Sequence, residues 1–340
     1  MRRGISVAMS FALAIGVSLG ASLGAPAAEV LGKITRYSPK LDAVISPQAK
    51  IEKLAGGFTW SEGPVWVREG NYLLFTDVPE NTLYRWSEKE GAQVYLKPSG
   101  FTGADTSGLR EPGANGLFPD RPGTLLVANA GNRTLDRLDI ATRKKTTLAD
   151  RYEGRKLNSP NDVTRKQDGT AYFTDPPYSL TGINDSPLKE LRFNGVYRLG
   201  TDGKLSLVDA GMSFPNGIGL SPDERTLYVA NSDPKRPIWM AYTLDEKGFV
   251  TGKREFASAA DLTGPGLPDG LKVSAEGYLF ASAPGGVLIF SPDGTRLGRI
   301  ETGMAIANCA FGNDGRTLYL ASDEFIARVP VLVSGQGFSR

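Results

Sequence analysis

Six residues with side-chain oxygen atoms each stand just before a short strand-like run: Glu62 in SEGPVWV, Asn115 in ANGLFP, Asn161 in PNDVTRK, Asn216 in PNGIGLS, Asp269 in PDGLKVS and Asn308 in ANCAFGN. Glu62, Asn161, Asn216 and Asp269 together offer two carboxylates and two amide carbonyls, the donor set of a hard cation such as calcium or magnesium. Two acids cancel a divalent charge, so such a site is buried yet electrically balanced. Zinc and copper favour imidazole and thiolate, and this chain has no histidine and one cysteine. Calcium therefore heads the expectation, with magnesium, manganese or zinc as the other divalent candidates. Taken singly, each of these residues also fits an Asx turn bonding its own backbone. As a set they point to a ligand.

The chemistry open to such a set is hydrolysis of an ester or lactone. That reaction passes through a tetrahedral oxyanion, which a cation stabilises as a Lewis acid. Without histidine no serine triad can be built, and no G-x-S-x-G elbow is present. A carboxylate must then help activate water. Asp269 is the candidate acid/base as well as a ligand, and Glu62 is read as a ligand.

Positioning residues spread over most of the chain requires a fold that returns each of them to one place. The marked residues recur at about 40 to 55 residues, the period of a repeat array. Around Asn161 the repeat parses as strands at 162–166, 171–174, 196–199 and 205–209, separated by turns at Gln167-Asp168-Gly169 and Thr201-Asp202-Gly203. The same grammar returns in IGLSPDERTLYVANS, LKVSAEGYLFASA and CAFGNDGRTLYLASD. The expected fold is all-β, a six-bladed β-propeller with four antiparallel strands per blade, in which all six positions ring one mouth of the central channel. A parallel α/β fold would need helices where this chain has Pro- and Gly-rich turns. The strand Ile51–Leu54 precedes the first marked repeat and is expected to close the ring by pairing near Ile326–Val329 of the last blade.

Other residues receive structural readings. The Asp-Gly pairs in QDGT, TDGK, PDGT and NDGR are hairpin turns. Trp60, Trp66, Trp86 and Trp239 are expected to pack between blades. Asp77 and Asp175 end second strands and tie down loops. Residues 179–193 form a loop over the mouth, as a lid or specificity element, and Arg143 to Lys145 is a solvated turn.

Composition bounds the partners. Lys plus Arg number 39 against 37 Asp plus Glu, so no basic field for nucleic acid or anionic membrane exists. Arg2 and Arg3, the apolar stretch Ile5 to Leu23 and Ala25-Pro26-Ala27 form a signal-peptide pattern over residues 1–27. The expectation is a single propeller domain over 28–340, secreted or periplasmic, with no membrane association after cleavage. Cys309 lies in an apolar setting and is read as a buried, inert thiol.

The segments SEGPVW, LNSPNDV, YFTDPPYSL, PNGIGLSPDERTLYV and GLPDGLKV, in this order over about residues 50 to 330, resemble the senescence-marker-protein, gluconolactonase and luciferin-regenerating-enzyme family. The resemblance implies a six-bladed propeller that holds a divalent cation at the channel mouth and hydrolyses a lactone. It matches Glu62, Asn216 and Asp269 to metal ligands of blades 1, 4 and 5, with Asp269 also the acid/base. Asn161 is matched to a residue that contacts substrate in some members and metal in others, and Asn115 to a substrate-facing residue. One departure is clear: many bacterial members carry a histidine where this chain has Ala130, and a paraoxonase-like histidine mechanism is excluded. Against a lactonase acting on a sugar lactone or similar small lactone stand a non-catalytic binding propeller and a phosphotriesterase-like hydrolase on the same site.

Overall fold

A computed structural model describes Met1 and residues 29–338, so the expected leader lies, Met1 apart, outside the described residues. The described chain forms six antiparallel sheets arranged as the blades of a propeller, plus a small hairpin at Arg151–Tyr152 and Arg155–Lys156. Blade 1 runs from Ser61–Val67 through Tyr72–Asp77 and Thr82–Ser87 to Gly91–Leu96. The innermost strands of the other blades are Leu117–Pro119, Val163–Arg165, Pro215–Leu220, Leu271–Val273 and Asn308–Gly312.

Ring closure follows the expected pairing of Ile51–Leu54 with the last blade. Blade 6 takes its fourth strand from the N-terminal side, with Ile326 opposite Ala55 and Arg328 opposite Glu52. The segment before it is also built in, which the sequence had not suggested. Val30–Leu31 extends blade 6, Lys33–Arg36 adds a fifth strand to blade 5, and Leu41, Val44 and Ile45 are fully buried against both.

The core is divided into six apolar clusters, one at each blade interface. Each blade is covered on both faces, so its strands are apolar at successive residues yet still alternate. In Thr226–Asp233, Leu227 and Val229 point toward blade 3, while Tyr228 and Ala230 point toward blade 5. Trp66 stacks on Tyr319 at 5.2 Å between blades 1 and 6, and Trp239 meets Phe290 edge-on at 5.4 Å between blades 4 and 5. Trp86 is buried as expected. Trp60 is the exception, because it lines the cavity at the mouth.

The four Asp-Gly turns share one device: the Asp carboxylate accepts the N–H two residues on, in Thr170, Lys204, Thr295 and Arg316. Asp77 accepts the N–H groups of Thr59 and Trp60, and Asp175 that of Asn158, so both anchor the loop entering their own blade. The turn at 143–145 is less solvated than its charges suggest. Lys145 Nζ donates to Ser99 O at 2.5 Å, and burial lowers its pKa.

A chain starting at residue 55 loses the closing strand together with Leu41, Val44, Ile45 and Ile51. Each buried aliphatic side chain contributes about 2–5 kcal/mol, so their sum rivals the whole stability of a typical domain, about 5–15 kcal/mol. Thermal melts followed by circular dichroism should show the truncated chain failing to fold or melting at least about 15 °C below a chain starting at residue 29. An equal melting temperature contradicts the closure role.

Candidate functional site

The geometry at the mouth starts with glycine. The residue after the marked position is Gly63, Gly116, Gly217 and Gly270 in four blades, and the innermost strands pass so close that a Cβ there has no room. A Cβ on Gly63 would stand 2.1 Å from Asn115 O, and one on Gly217 would stand 2.1 Å from Asp269 O. On Gly116 it would meet Asp162 Oδ1 at 2.5 Å, and on Gly270 the Asn308 amide at 2.0 Å. The missing side chains leave the space that Asp162 and Asn308 fill.

Backbone hydrogen bonds set the depth of each marked residue. Asn115 N donates to Ala128 O, Asn161 N to Thr174 O and Asp269 N to Ser282 O, all on the second strand of the same blade. Thr76 and Thr174 reach across to the carbonyls of Asn115 and Asn216 in the next blade. Five of the six residues, Glu62, Asn115, Asn161, Asn216 and Asp269, thereby line one cavity of about 600 Å³. Asn308 lies beneath it, donating from Nδ2 to Glu62 Oε2 at 3.2 Å.

Burial dominates the electrostatics. It pushes the Glu62 carboxyl up to about 7, against the Gly63 N–H, which donates to Oε2 at 2.7 Å, and with further repulsion from Asp162. Burial, then the charges of Glu62 and Asp162, hold Asp269 well above the usual carboxylate range. Asp269 Oδ1 takes the Gly270 N–H at 3.0 Å. Among the described residues no hydrogen bond reaches Glu62 Oε1 or Asp269 Oδ2.

These residues fit a divalent cation. Asn216 Nδ2 donates to Ser232 Oγ at 2.9 Å, which turns its Oδ1 to the cavity, buried and without a partner. Asn115 Oδ1 is equally unpartnered. An amide oxygen left without a donor costs free energy that a cation would recover. Among the described residues no three His, Cys, Asp or Glu side chains gather as a metal cluster, so a ligand set here must draw on amide oxygens.

Several site residues escaped the sequence reading. Trp60, Arg110, Glu111, Tyr178 and Leu267 form the wall of the cavity. Glu111 is mostly buried, which raises its pKa, and pairs with Arg110 at 2.7 Å. The Tyr178 hydroxyl is buried beside the Ser232 and Asn216 side chains, and its ring stacks on Phe214 at 5.6 Å. The segment at 179–193 contains a 3-10 turn at Ile183–Asp185 and is pinned to the segment carrying Arg110 by a bridge between Leu109 and Leu180. Asp162 had a signal in the sequence: PND breaks the pattern of PNG, PDG and ANG, placing a carboxylate where four of the other five blades carry glycine. Ala130 is buried in the turn after blade 2's second strand and does not line the cavity. Burial pushes the Cys309 thiol up to about 12, leaving it inert.

At its other end the channel holds a smaller cavity of about 130 Å³, lined in part by Arg68, Lys272, Gln336 and Phe338. The C-terminal segment lies against this end. Gln336 Nε2 donates to Leu220 O and Val273 O, and the Arg68 guanidinium lies 4.0 Å over the Phe338 ring.

The family model described as the SMP-30/Gluconolactonase/LRE-like region matches residues 60–324. A gluconolactonase of Zymomonas mobilis is 45% identical over 306 residues, 88% of this chain and 86% of that protein. The pentonolactonase XacC of Haloferax volcanii is 26% identical over 268 residues, covering 77% of this chain and 80% of its own. A solved gluconolactonase of Xanthomonas campestris superposes with a TM-score of 0.76 at 30% identity, covering 89% of this chain and 97% of its own. With the propeller, its ring of strand-entrance residues and these matches together, the chain belongs to the SMP-30/gluconolactonase/LRE-like family.

Proposed function

We propose that this protein is a lactonase of the gluconolactonase kind, opening the ester ring of a sugar lactone in the periplasm or outside the cell. The observation that carries the reading is the meeting, in one cavity, of two buried carboxylates with amide oxygens that have no partner. The likeness to lactone hydrolases over most of the chain supports it. Glu62, Asn161, Asn216 and Asp269 would hold a divalent cation, calcium first. When bound, the cation supplies Lewis-acid stabilisation of the charge that develops on the lactone carbonyl oxygen.

The rest of the chemistry belongs to the side chains. Asp269, with Oδ2 open to the cavity and an upshifted pKa, accepts a proton from the attacking water and returns it to the ring oxygen as the acyl C–O bond breaks. The products are a hydroxyl and a carboxylic acid on one open chain, and the acid releases its proton to solvent as the carboxylate. Glu62, fixed by Gly63 N and Asn308 Nδ2, acts as ligand. The wall suits a polyhydroxylated ring: Trp60 offers an apolar face, while Glu111, Arg110, the Tyr178 hydroxyl and Asn115 Oδ1 offer hydrogen-bond partners.

The direct test is hydrolysis of a lactone panel by metal-stripped protein re-supplied separately with calcium, magnesium, manganese or zinc. No turnover with any of them leaves a binding propeller. Asp269→Asn keeps an oxygen donor but removes the proton acceptor, so kcat should fall by about 10³ or more with cation saturating. Glu62→Gln should weaken cation affinity first, with activity partly recovered at high cation concentration; calorimetric titration beside pH-stat assays separates the two. Near wild-type turnover by Asp269→Asn assigns the base to another group.

Glu62 and Asp269 also give the stripped protein a pH signature. Their folded pKa values lie above the unfolded ones, so the folded state holds more protons and stability falls as pH rises from about 4.5 through 7. Denaturant melts of stripped protein should show that fall, and saturating calcium should suppress it. For the wall, Glu111→Gln and Tyr178→Phe should raise KM for a sugar lactone about tenfold, since each lost hydrogen bond is worth about 1–2 kcal/mol, and should change KM for an unsubstituted lactone by less than about twofold. Equal effects on both lactones place these residues outside substrate recognition.

A further inference from the structure

Beneath the cavity the channel carries one carboxylate more than a divalent cation needs. Asp162 is 1% exposed and its Oδ1 takes the Val163 N–H at 2.9 Å. Its Oδ2 receives Asn308 Nδ2 at 3.3 Å, the same amide nitrogen that donates to Glu62 Oε2. Asn308 cannot turn over, because its Oδ1 already accepts from Lys272 Nζ at 3.2 Å and from Cys309 N at 2.9 Å. Lys272 Nζ also donates to Leu271 O at 3.0 Å and stands 3.9 Å from Asp162 Oδ2. An ammonium, an amide and two carboxylates thus form one connected column between the two ends of the channel. On the rim, Glu111 is balanced by Arg110.

Counting formal charge over this column and the cavity above it, Glu62, Asp162 and Asp269 contribute three negative charges and Lys272 one positive. We propose that Lys272 is a built-in cation that neutralises Asp162 and, by fixing the Asn308 amide, leaves the cavity two net negative charges, so that the site selects a divalent over a trivalent ion. The inference rests on the cation reading above. Charge count and ligand charge set ion preference in oxygen-donor sites, and opposite charges at such range in a desolvated channel are weakly screened. Lys272, Asn308 and Asp162 are positioning residues here, acting through Glu62 and through the field at the cavity.

The test is a double-mutant cycle on the full protein, metal-stripped, with binding as readout: calcium by calorimetry and terbium by luminescence sensitised through Trp60. Lys272→Met leaves three net negative charges and should shift the calcium-to-terbium ratio of dissociation constants at least about tenfold toward terbium. Asp162→Asn leaves one and should weaken calcium at least about tenfold. The double variant, back at two, should return the ratio to within about threefold of wild type, and Lys272→Arg should leave it unchanged. A purely structural defect weakens both ions and leaves the ratio in place. Ratios within threefold across wild type, Lys272→Met and the double variant overturn the role of Lys272 while sparing the cation site. Failure of the wild type to take up either ion removes the cation reading itself and this inference with it. If Lys272→Met does not fold, Asp162→Asn decides alone: unchanged calcium affinity overturns the proposal.

Discussion

The close approach of the six innermost strands at the channel mouth is the constraint on which the rest depends. Where the backbones of neighbouring blades crowd within van der Waals distance, only glycine fits, as at Gly63 and Gly217. Crowding brings residues from Glu62 to Asn308, separated by 246 positions in the chain, into hydrogen-bond contact. It also strips water from their side chains, and burial is therefore the first cause of the upward shift in both Glu62 and Asp269. Desolvating carboxylates costs free energy that the hydrogen bonds from Gly63, Asn308 and Gly270 only partly offset. The six apolar clusters between blades hold the ring closed against that cost, and the strand from the N-terminal side completes the last of them.

A site held under this strain separates the duties of its two acids. Glu62 Oε2 is committed to Gly63 and Asn308, so its position is fixed before any ligand arrives. Asp269 has one backbone bond, to Gly270, and an open second oxygen, and it feels the repulsion of both Glu62 and Asp162. The acid with the fewer partners and the stronger repulsion is the better proton acceptor and donor near neutral pH. In the function proposed above, the ligand role of Glu62 and the base role of Asp269 rest on these different hydrogen bonds at two positions that are equivalent by repeat.

The sequence revealed the parts of the structure that depend on repetition. Six strand-entrance residues, the four-strand grammar, the Asp-Gly turns and the closing strand at Ile51 each recur or pair by rule, and the structure places them accordingly, except that Asn308 lies beneath the cavity instead of lining it. What it did not reveal depends on the spaces between repeats. Asp162 and Asn308 matter because Gly116 and Gly270, in other blades, leave room for them. Lys272 looks like an outward lysine in an alternating strand, yet its amine turns into the channel. Trp60 was assigned to blade packing by its type, but its loop, anchored by Asp77, turns it to the cavity. Lys145 reads as solvated until the carbonyls of Ser99 and Gly100, from a distant loop, come to meet it.

The channel's two ends are therefore chemically distinct although the fold around them is near-symmetric. At the mouth, side chains from five blades converge with unpartnered oxygens; at the base, Gln336 and Phe338 satisfy strand carbonyls and cover apolar surface. With the C-terminal segment lying against the base, Lys272 links the lower cavity to the column above, and its single charge faces upward to Asp162 and Asn308. The strand Ile51–Gly56 holds the ring closed, and within it an ammonium, an amide and buried carboxylates from different blades let a ring of ordinary turns carry a concentrated and directional field.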